Sequence, residues 1–328
     1  MQHFNEVYYE PEILNYQLGK ELKEQLKELP WIPIESHNRI PEMQEKSNKE
    51  FGRMKRNLII GIRKTHKYVE NHKVSDYLVP YTSSGCSAMC LYCYLVCNYN
   101  KCSYLRLFVN REQMMDRLIK VSFSSDTEKT FEIGSNSDLV LENTITGNLE
   151  WTITQFAERG RGHITFPTKF HMVDPLLNLD HRGKSIFRMS VNPQPIISRI
   201  ELGTSSLMQR IDAVNRMCDA GYPCGLLIAP VIIMEGWKEE YRTLLETLRD
   251  HLSPKMFLEV ILMTYSFVHR AINGEAFPAA PELYDKELMT GRGRGKYCYR
   301  PEVRADAEKF LREEIKRTLG DAEILYIA

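Results

Sequence analysis

The stretch Gly85-Cys-Ser-Ala-Met-Cys-Leu-Tyr-Cys-Tyr-Leu95 carries three cysteines in the spacing C-x3-C-x2-C. Three thiolates this close together are costly unless something binds them, and cysteine thiolates are the usual ligands of iron–sulfur clusters. Three ligands on a four-iron cluster leave one iron open, and an open iron can hold a small molecule and pass it an electron. The spacing therefore predicts a 4Fe-4S cluster on Cys86, Cys90 and Cys93.

A structural zinc site is the alternative. Zinc usually takes four ligands, and Cys97 or Cys102 would supply the fourth. Tyr92, just before the third cysteine, has no role in a zinc knuckle, whereas an aromatic residue there is usual in enzymes that bind S-adenosylmethionine (SAM) on such a cluster. The stretch thus resembles the radical SAM superfamily. That resemblance implies that SAM binds the open iron and that its reductive cleavage yields a 5′-deoxyadenosyl radical.

Composition fits a globular chain of one large domain or two ordinary ones. The sequence has 328 residues, is 43% hydrophobic and 26% charged, and contains 43 basic and 43 acidic residues. Net neutrality argues against a protein that coats nucleic acid non-specifically, but it permits a local basic groove.

The distribution of cysteines along the chain indicates the redox state of the cellular compartment in which the protein is expected. Five of the eight cysteines lie between Cys86 and Cys102, which is unlike the spread-out disulfide framework of a small secreted protein. The N-terminal residues lack an apolar signal core, and no run approaches the roughly 18 apolar residues that span a membrane. We therefore expect a reducing cytoplasmic location without a membrane partner.

Alternating strands and helices predict the fold class. Expected strands lie at 57–62, 77–83, 130–134, 162–170, 185–191, 224–231, 258–263 and 322–327, and expected helices at 11–29, 111–121, 141–159, 206–219, 238–251 and 304–319. Such alternation indicates right-handed parallel βαβ units, about six of them between residues 77 and 266. A full eight-fold barrel is one interpretation. An open α/β (β/α)6 partial TIM-like barrel is typical of radical SAM enzymes.

The expected domain organisation has three parts. Residues 1–75 form an N-terminal extension packed on the barrel, residues 76–270 form the partial barrel, and residues 271–328 form a C-terminal segment. That last segment contains a β-hairpin that contacts DNA, followed by a closing helix and strand.

Segments spread along the chain carry a narrower resemblance. They include Gly61-Ile-Arg-Lys-Thr65, Thr168-Lys-Phe-His-x-Val-Asp-x-Leu-Leu177, Phe187-Arg-x-Ser-Val-Asn192, Glu235-Gly-Trp237 and Gly295-Lys-Tyr-x-Tyr299. Together they resemble the spore photoproduct lyase family from about residue 7 to the end. The resemblance implies a carbon–carbon lyase that reverses 5-thyminyl-5,6-dihydrothymine to two thymines in UV-damaged DNA. It further implies a flavodoxin or ferredoxin as electron donor and DNA repair in the spore core during spore germination.

Candidate SAM ligands lie at the ends of predicted strands. A strand-end lysine suits the SAM carboxylate, and Lys169 is placed for that role. Ser190 and Asn192 are positioned for the same end of SAM, whereas Ser137 and Asp138 suit its ribose hydroxyls or amine. Ser and Asp at these positions also commonly cap the following helix. The resemblance assigns Lys169, Ser190, Ser137 and Ala229 to the SAM pocket.

Hydrogen transfer is where the sequence departs from the family. The resemblance gives Tyr94 the role of returning hydrogen to regenerate SAM, and places Tyr92 against SAM or substrate. Well-known members donate hydrogen to the product radical from a cysteine, but Ser135 occupies that position here, and a hydroxyl is a much poorer donor. Three explanations follow: another cysteine donates, a tyrosine donates directly, or the substrate differs. The candidate cysteines are Cys97, the nearest in sequence to the cluster ligands, and Cys102, Cys224 and Cys298.

The basic stretch Gly291-Arg-Gly-Arg-Gly-Lys-Tyr-Cys-Tyr-Arg300 is the expected DNA contact. In a hairpin, Tyr297 and Tyr299 share one face, while Arg292, Arg294 and Lys296 are suited to grip phosphates. The resemblance implies that this hairpin wedges the duplex open, although it is one residue shorter and lacks the usual aromatic after the first arginine. A solvated basic loop is the alternative. At the level of function, a non-catalytic metal-bound nucleic-acid-binding module is the alternative from another class.

Overall fold

The structure is a computed structural model that describes residues 4–253, 256–320 and 322–328. Its strands are β1 (Glu6–Tyr9), β2 (Trp31–Pro33), β3 (Asn57–Gly61), β4 (Val69–Glu70), β5 (Tyr77–Leu78), β6 (Ser83–Ser84), β7 (Met89–Cys90), β8 (Arg106–Phe108), β9 (Thr130–Glu132), β10 (His163–Thr168), β11 (Ser185–Val191), β12 (Glu201–Leu202), β13 (Cys224–Val231), β14 (Phe257–Leu262), β15 (Thr264–Ser266), β16 (Met289–Gly293), β17 (Lys296–Tyr299) and β18 (Ile324–Ile327).

The helices are α1 (Gln17–Gln25), α2 (Pro41–Gln44), α3 (Phe51–Met54), α4 (Tyr94–Tyr99), α5 (Arg111–Ser122), α6 (Leu139–Thr146), α7 (Asn148–Arg159), α8 (Gln194–Arg199), α9 (Leu207–Asp219), α10 (Trp237–His251), α11 (Phe267–Ala276) and α12 (Pro301–Leu319). Short 3₁₀ helices lie at Pro11–Asn15, Asn48–Glu50, Asn100–Cys102 and Asp174–Leu176. Within the described ranges, no helix combines the length and apolar character needed to cross a membrane.

An eight-stranded sheet forms the body of the molecule, in the order β18-β14-β13-β11-β10-β9-β5-β4. Neighbouring strands pair in parallel from β18 to β5, and only β4 pairs antiparallel. Helices α6 to α10 and α12 occupy the connections between strands, as a right-handed βαβ arrangement requires. The six predicted barrel strands are β5, β9, β10, β11, β13 and β14, and they neighbour one another in sequence order.

A second sheet joins the N-terminal segment to the barrel. Its order is β2-β1-β3-β8-β6, so β3, the last strand of the first 61 residues, pairs with β8, which follows the cysteine loop. β6, which leads into that loop, pairs antiparallel with β8. The N-terminal segment therefore supports the cysteine loop through backbone hydrogen bonds. The three-part domain division itself stays a prediction.

Glycine and local hydrogen bonds explain two departures from the predicted helices. The helix expected at 141–159 is two helices, because Gly147 adopts φ +62° and ends α6, while the Asn143 side chain accepts from the Leu149 amide at the start of α7. The helix expected at 11–29 begins with a 3₁₀ helix, and Tyr16 is extended before α1 starts.

The C-terminal hairpin is built as predicted, but it gains a third strand. β16 and β17 pair antiparallel, and β15 pairs with β17 on its other side. The hairpin turn consists of Arg294 and Gly295, both with positive φ (52° and 68°), which is the pattern of a type I′ turn. Because β15 directly follows β14, the hairpin is tied to the end of a barrel strand.

Candidate functional site

A cavity of about 510 Å³ opens where the parallel strands of the eight-stranded sheet end. Its lining includes Glu132, Thr168, Ser190 and Leu262, which stand at or near the C-terminal ends of β9, β10, β11 and β14. All three cysteines of the C-x3-C-x2-C motif also line it. This is the end of a βα barrel where active sites form, and the volume lies in the usual range for small-molecule sites.

Gly85 sets the entry of the cysteine loop. It adopts φ +75°, and a Cβ there would lie 1.9 Å from the Tyr104 carbonyl oxygen, so only glycine fits. The Gly85 amide donates to the Asn136 carbonyl and the Cys86 amide donates to the Ser103 carbonyl. The loop therefore leaves β6 in a fixed direction before the first cysteine.

Further contacts hold the loop beyond Cys86. Cys90 lies in β7, which pairs with Glu201 in β12, and the Leu91 amide donates to the Ile200 carbonyl at 3.0 Å. The ring nitrogen Nε2 of His269, on α11, lies 2.8 Å from the Cys93 carbonyl oxygen. The cysteine backbone is thus anchored to β12, to Ile200 just before it, and to α11.

The three thiols are the donor set that an iron–sulfur cluster takes. Burial raises the pKa of the Cys86 thiol to about 12 and raises the pKa of the Cys90 thiol well above its usual value. Such thiols ionise readily only when a metal supplies positive charge. Among the described residues, no three His, Cys, Asp or Glu side chains converge to hold one ion.

A buried lysine faces the cysteine loop. Lys55 is 1% exposed, and its Nζ donates to the Ser103 carbonyl oxygen at 2.8 Å. Desolvation lowers the pKa of Lys55, whereas the neighbouring Cys86, Cys93 and Cys90 act to raise it. Lys55 and the three cysteines of the motif are therefore electrostatically coupled. Sequence reasoning missed Lys55 because nothing in the neighbouring sequence distinguishes it from a surface lysine.

Lys169, Ser190 and Ala229 come together as predicted for the SAM pocket. The Lys169 Nζ lies 2.5 Å from the Ser190 Oγ and 2.9 Å from the Ala229 carbonyl oxygen, and all three residues line the cavity. The Ala229 carbonyl is free to accept because the pairing of β13 with β14 shifts between Ile228 and Val231. The lysine therefore presents positive charge to the cavity from a polar, well-supported position.

Ser137 and Asp138 lie at the mouth of β9, and Asp138 acts as a helix cap. Its carboxylate accepts from the Leu141 amide, the Thr168 hydroxyl and the Lys169 amide at 2.8–3.1 Å. Asp138 therefore fixes the backbone of Lys169. Ser137 lines the cavity, and its Oγ accepts from the Ser83 hydroxyl at 2.6 Å.

Asn192 lies behind the pocket and is fully buried. Its amide nitrogen donates to Glu201 Oε1 at 2.8 Å, and it is absent from the cavity lining. The expectation that Asn192 faces SAM is therefore corrected: it holds Glu201, which lies 3.2 Å from the Lys169 ammonium. Glu201 also pairs with the buried Arg210 at 2.5 Å. Although burial raises the pKa of Glu201, Arg210 and Lys169 outweigh it and lower that pKa to about 2.

The two tyrosines of the cysteine motif have different surroundings. Tyr92 is 9% exposed and its hydroxyl donates to Glu201. Tyr94 is 52% exposed and its surface lies in the cavity. Enclosure by the cavity raises the pKa of Tyr94, and the nearby Cys93 and Glu132 raise it further. Both tyrosines line the cavity, and Tyr94 is the more exposed of the two.

The residues considered as hydrogen donors differ in whether they line the cavity. Ser135 lines the cavity, whereas among the described residues the only thiols in that lining are the three of the cysteine motif. Cys97 lies outside it: its sulfur is 3.3 Å from the Ser266 hydroxyl and about 4 Å from the His269 ring. This placement gives no support to Cys97 as the donor. Cys102, Cys224 and Cys298 are also absent from the lining.

Sequence reasoning missed a buried charge network at the cavity wall. Arg188 pairs with Glu132 at 2.6 Å and with Glu259 at 2.9 Å, and Tyr326 donates to Glu259 at 2.5 Å. Burial raises the pKa of Glu259, while Arg188 lowers it. Isolated charges inside apolar strands, such as Arg188 in β11 and Glu259 in β14, are the signal that would have indicated buried partners.

The hairpin residues divide into an exposed tip and a buried base. Arg292, Arg294 and Lys296 are exposed, and Tyr297 is half-buried against Tyr284, with ring centroids 4.6 Å apart. Tyr299 is 2% exposed, and its hydroxyl oxygen accepts from the Ile233 amide at 2.8 Å. The expectation that Tyr299 faces DNA is therefore corrected: residues two apart do share a face, but at the base of the hairpin that face packs on the core.

Comparisons with known proteins match nearly the whole chain. The family model described as spore photoproduct lyase matches residues 3–328. A curated spore photoproduct lyase of Bacillus subtilis (strain 168) is 35% identical over 324 residues, covering 94% of this chain and 93% of that protein.

Solved structures agree with that match. Spore photoproduct lyase complexed with dinucleoside spore photoproduct superposes with a TM-score of 0.92 at 29% identity, covering 100% of this chain and 99% of that one. A spore photoproduct lyase variant with bound AdoMet and dinucleoside spore photoproduct gives a TM-score of 0.91 at 29% identity, covering 100% of each chain.

The partial barrel, the three-cysteine loop at its C-terminal end and the polar pocket beside that loop define a radical SAM enzyme. Within that class, the chain belongs to the spore photoproduct lyase family. The predicted fold class and the predicted family are both confirmed.

Proposed function

We propose that this chain is a radical SAM lyase that reverses the spore photoproduct in UV-damaged DNA to two thymines. One observation carries the proposal: the three cysteines and the Lys169–Ser190–Ala229 cluster line the same cavity. Family membership over nearly the full chain supports the choice of substrate. The proposed place of action is the spore core at germination.

Cys86, Cys90 and Cys93 hold a 4Fe-4S cluster in this proposal, and SAM occupies the cavity beside it. Bound together, cluster and SAM supply a radical that removes a hydrogen atom from the saturated thymine ring. Lys169 places its ammonium where the SAM carboxylate binds, while Ser190 and Ser137 offer hydroxyls to its polar groups. The reaction needs a one-electron donor such as flavodoxin or ferredoxin.

The residues that line the cavity limit which group can donate a hydrogen atom to the product thymine radical. No thiol other than those of the cysteine motif lines the described cavity, and the Tyr92 hydroxyl is engaged by Glu201. Tyr94 is 52% exposed and lines the cavity. We therefore assign to Tyr94 the hydrogen atom that is donated to the product thymine radical, and the tyrosyl radical left behind recovers a hydrogen atom from 5′-deoxyadenosine, which is the step that would regenerate SAM. Ser135 is then a spectator at the position of the family's cysteine.

DNA is held by the exposed tip of the hairpin in this proposal. Arg292, Arg294 and Lys296 contact phosphates, and glycines on either side of Arg294 allow close approach of the backbone. Tyr297 contacts DNA through the exposed part of its side chain, whereas the buried Tyr299 anchors the base of the hairpin to the core.

A second candidate is a radical SAM enzyme of the same family that acts on another nucleic-acid or protein substrate. Ser135 favours it, because the position of the usual hydrogen donor carries a hydroxyl. The two candidates share the cysteine loop and the SAM pocket, so they predict the same SAM cleavage and differ only in the product.

The test is anaerobic reconstitution with iron and sulfide, followed by incubation with SAM, dithionite and a dinucleotide spore photoproduct. We expect thymine release to accompany 5′-deoxyadenosine formation. Cys90→Ala removes both products, whereas Cys218→Ala, a matched thiol outside the cavity, leaves both unchanged. SAM cleavage without thymine release favours the second candidate, and a preparation without iron or labile sulfide contradicts both.

A further inference from the structure

An exposed aromatic ring lies against the tip of the basic hairpin. Phe267, the first residue of α11, is 56% exposed, which is unusual for a large apolar side chain in this structure. The Phe267 amide donates to the Gly295 carbonyl oxygen at 3.2 Å. A Cβ on Gly295 would lie 1.9 Å from the ring, so the ring lies directly on the backbone of the hairpin turn.

The local fold fixes the direction of this ring. Ser266 caps α11 by accepting from the His269 amide, and its strand β15 pairs with β17 so that Ser266 faces Lys296. Gly295 has φ +68°, so the turn conformation and the close approach of the ring both require glycine. Phe267 is therefore held in place on a turn of defined geometry.

Three cations lie on the hairpin whose turn the ring contacts. Arg292, Arg294 and Lys296 are exposed on that hairpin, and in the described part of the chain none of them pairs with a carboxylate. An apolar ring among unpaired cations is poorly suited to an apolar protein partner. It suits a polyanion whose bases present flat apolar faces, which is the composition of single-stranded nucleic-acid sites and of side chains that insert between base pairs.

The ring also lies close to the cavity. Thr264, at the start of β15, lines the cavity, and Phe267 follows three residues later. Three residues span at most about 10 Å, so the Cα atoms of Thr264 and Phe267 are no farther apart than that.

We propose that Phe267 inserts into the base stack of duplex DNA beside the lesion and fills the gap left by the extruded thymine pair, while Arg292, Arg294 and Lys296 hold the flanking phosphates. The inference rests on the proposed function for the identity of the lesion. The free-energy cost of unstacking the bases is offset by the stacking of neighbouring bases on the Phe267 ring. Phe267 takes no part in the chemistry in the cavity.

The test separates duplex opening from chemistry. A duplex oligonucleotide carries one spore photoproduct and a neighbouring 2-aminopurine, whose fluorescence rises when it is unstacked, and binding is followed without SAM or reductant. We expect Phe267→Ala to reduce the fluorescence rise and the duplex repair rate on the order of tenfold. Repair of the dinucleotide photoproduct stays at the wild-type rate, and Phe267→Trp restores opening.

Phe123→Ala is the matched control, because Phe123 is 59% exposed at the end of α5 and lies outside the hairpin. It is expected to behave as wild type with both substrates. Wild-type opening by Phe267→Ala overturns the inference, as does an equal loss on duplex and dinucleotide, which indicates a role in folding or chemistry. A wild-type protein that opens the duplex but releases no thymine from the dinucleotide contradicts the proposed function alone.

Discussion

Lys55 and Cys86 are joined through a single acceptor. The Ser103 carbonyl oxygen accepts from the Lys55 ammonium at 2.8 Å and from the Cys86 amide at 3.2 Å. Lys55 is buried, and its charge lowers the pKa of the Cys86 thiol against the larger effect of desolvation. The lysine therefore both positions the first cysteine and favours its ionised form.

Replacing Lys55 with methionine is expected to weaken cluster binding. Loss of the buried cation raises the pKa of Cys86 further, and changes to such supporting groups typically cost 10- to 100-fold in metal affinity. The measurement is iron and sulfide bound per chain after reconstitution at limiting iron, together with the pH dependence of thiol alkylation in the protein without metal. Lys49→Met, at an exposed lysine nearby in sequence, serves as the control. Equal iron content in both variants argues against the role of Lys55.

Glu201 is expected to make stability depend on pH. Its pKa is about 2 in the folded chain against an ordinary value of 4.5, because Arg210 and Lys169 favour the carboxylate. A lowered folded pKa stabilises the protein above pH 4.5, and this contribution is lost as pH falls from 4.5 towards 2. Glu201→Gln leaves the buried Arg210 without its anion, so we expect a loss of about 3–5 kcal/mol at pH 7.

The measurement for Glu201→Gln is urea unfolding at several pH values between 7 and 3. The difference in unfolding free energy between wild type and variant shrinks as the pH falls below 4.5. Glu158→Gln, at an exposed glutamate, tests for a general charge effect. A difference that is constant with pH would show that Glu201 is not the group that titrates.

The cysteine loop and the strand order were predictable because both follow from local patterns. Thiol spacing predicts the metal ligands, which stay a prediction, and apolar runs separated by helices identify β5, β9, β10, β11, β13 and β14. Contacts between distant residues were not predictable. Glu201 bonds to Tyr92, 109 residues away, and nothing near either residue indicates the pairing. Tyr299 and Tyr297 are alike in sequence, and only the packing of the hairpin base on Ile233 separates their roles.

Ser135→Cys is expected to raise the ratio of thymine to side products in the proposed repair reaction. Ser135 lines a cavity whose described lining holds no thiol beyond the three of the cysteine motif, and a thiol gives up a hydrogen atom far more readily than a hydroxyl. The variant should convert more of the dinucleotide photoproduct to thymine and less to side products. Chromatography of the products measures this ratio. Ser135→Ala should leave it unchanged, and a fall in repair with that variant would assign a function to the serine hydroxyl.

Tyr94→Phe is expected to increase the SAM consumed per thymine pair released, because Tyr94 is the exposed phenol beside the cysteine loop and the proposed source of the returned hydrogen. The ratio of 5′-deoxyadenosine to thymine measures the effect, and we expect a change of several-fold with the cluster content unaltered. Tyr92→Phe is the matched comparison: its hydroxyl donates to Glu201, so it should lower the unfolding midpoint and leave the ratio unchanged. If Ser135→Cys restores the wild-type ratio in a Tyr94→Phe background, the two positions serve one hydrogen-transfer step. If the ratio in Tyr94→Phe equals that of wild type, the returned hydrogen comes from another group and the assignment of Tyr94 is wrong.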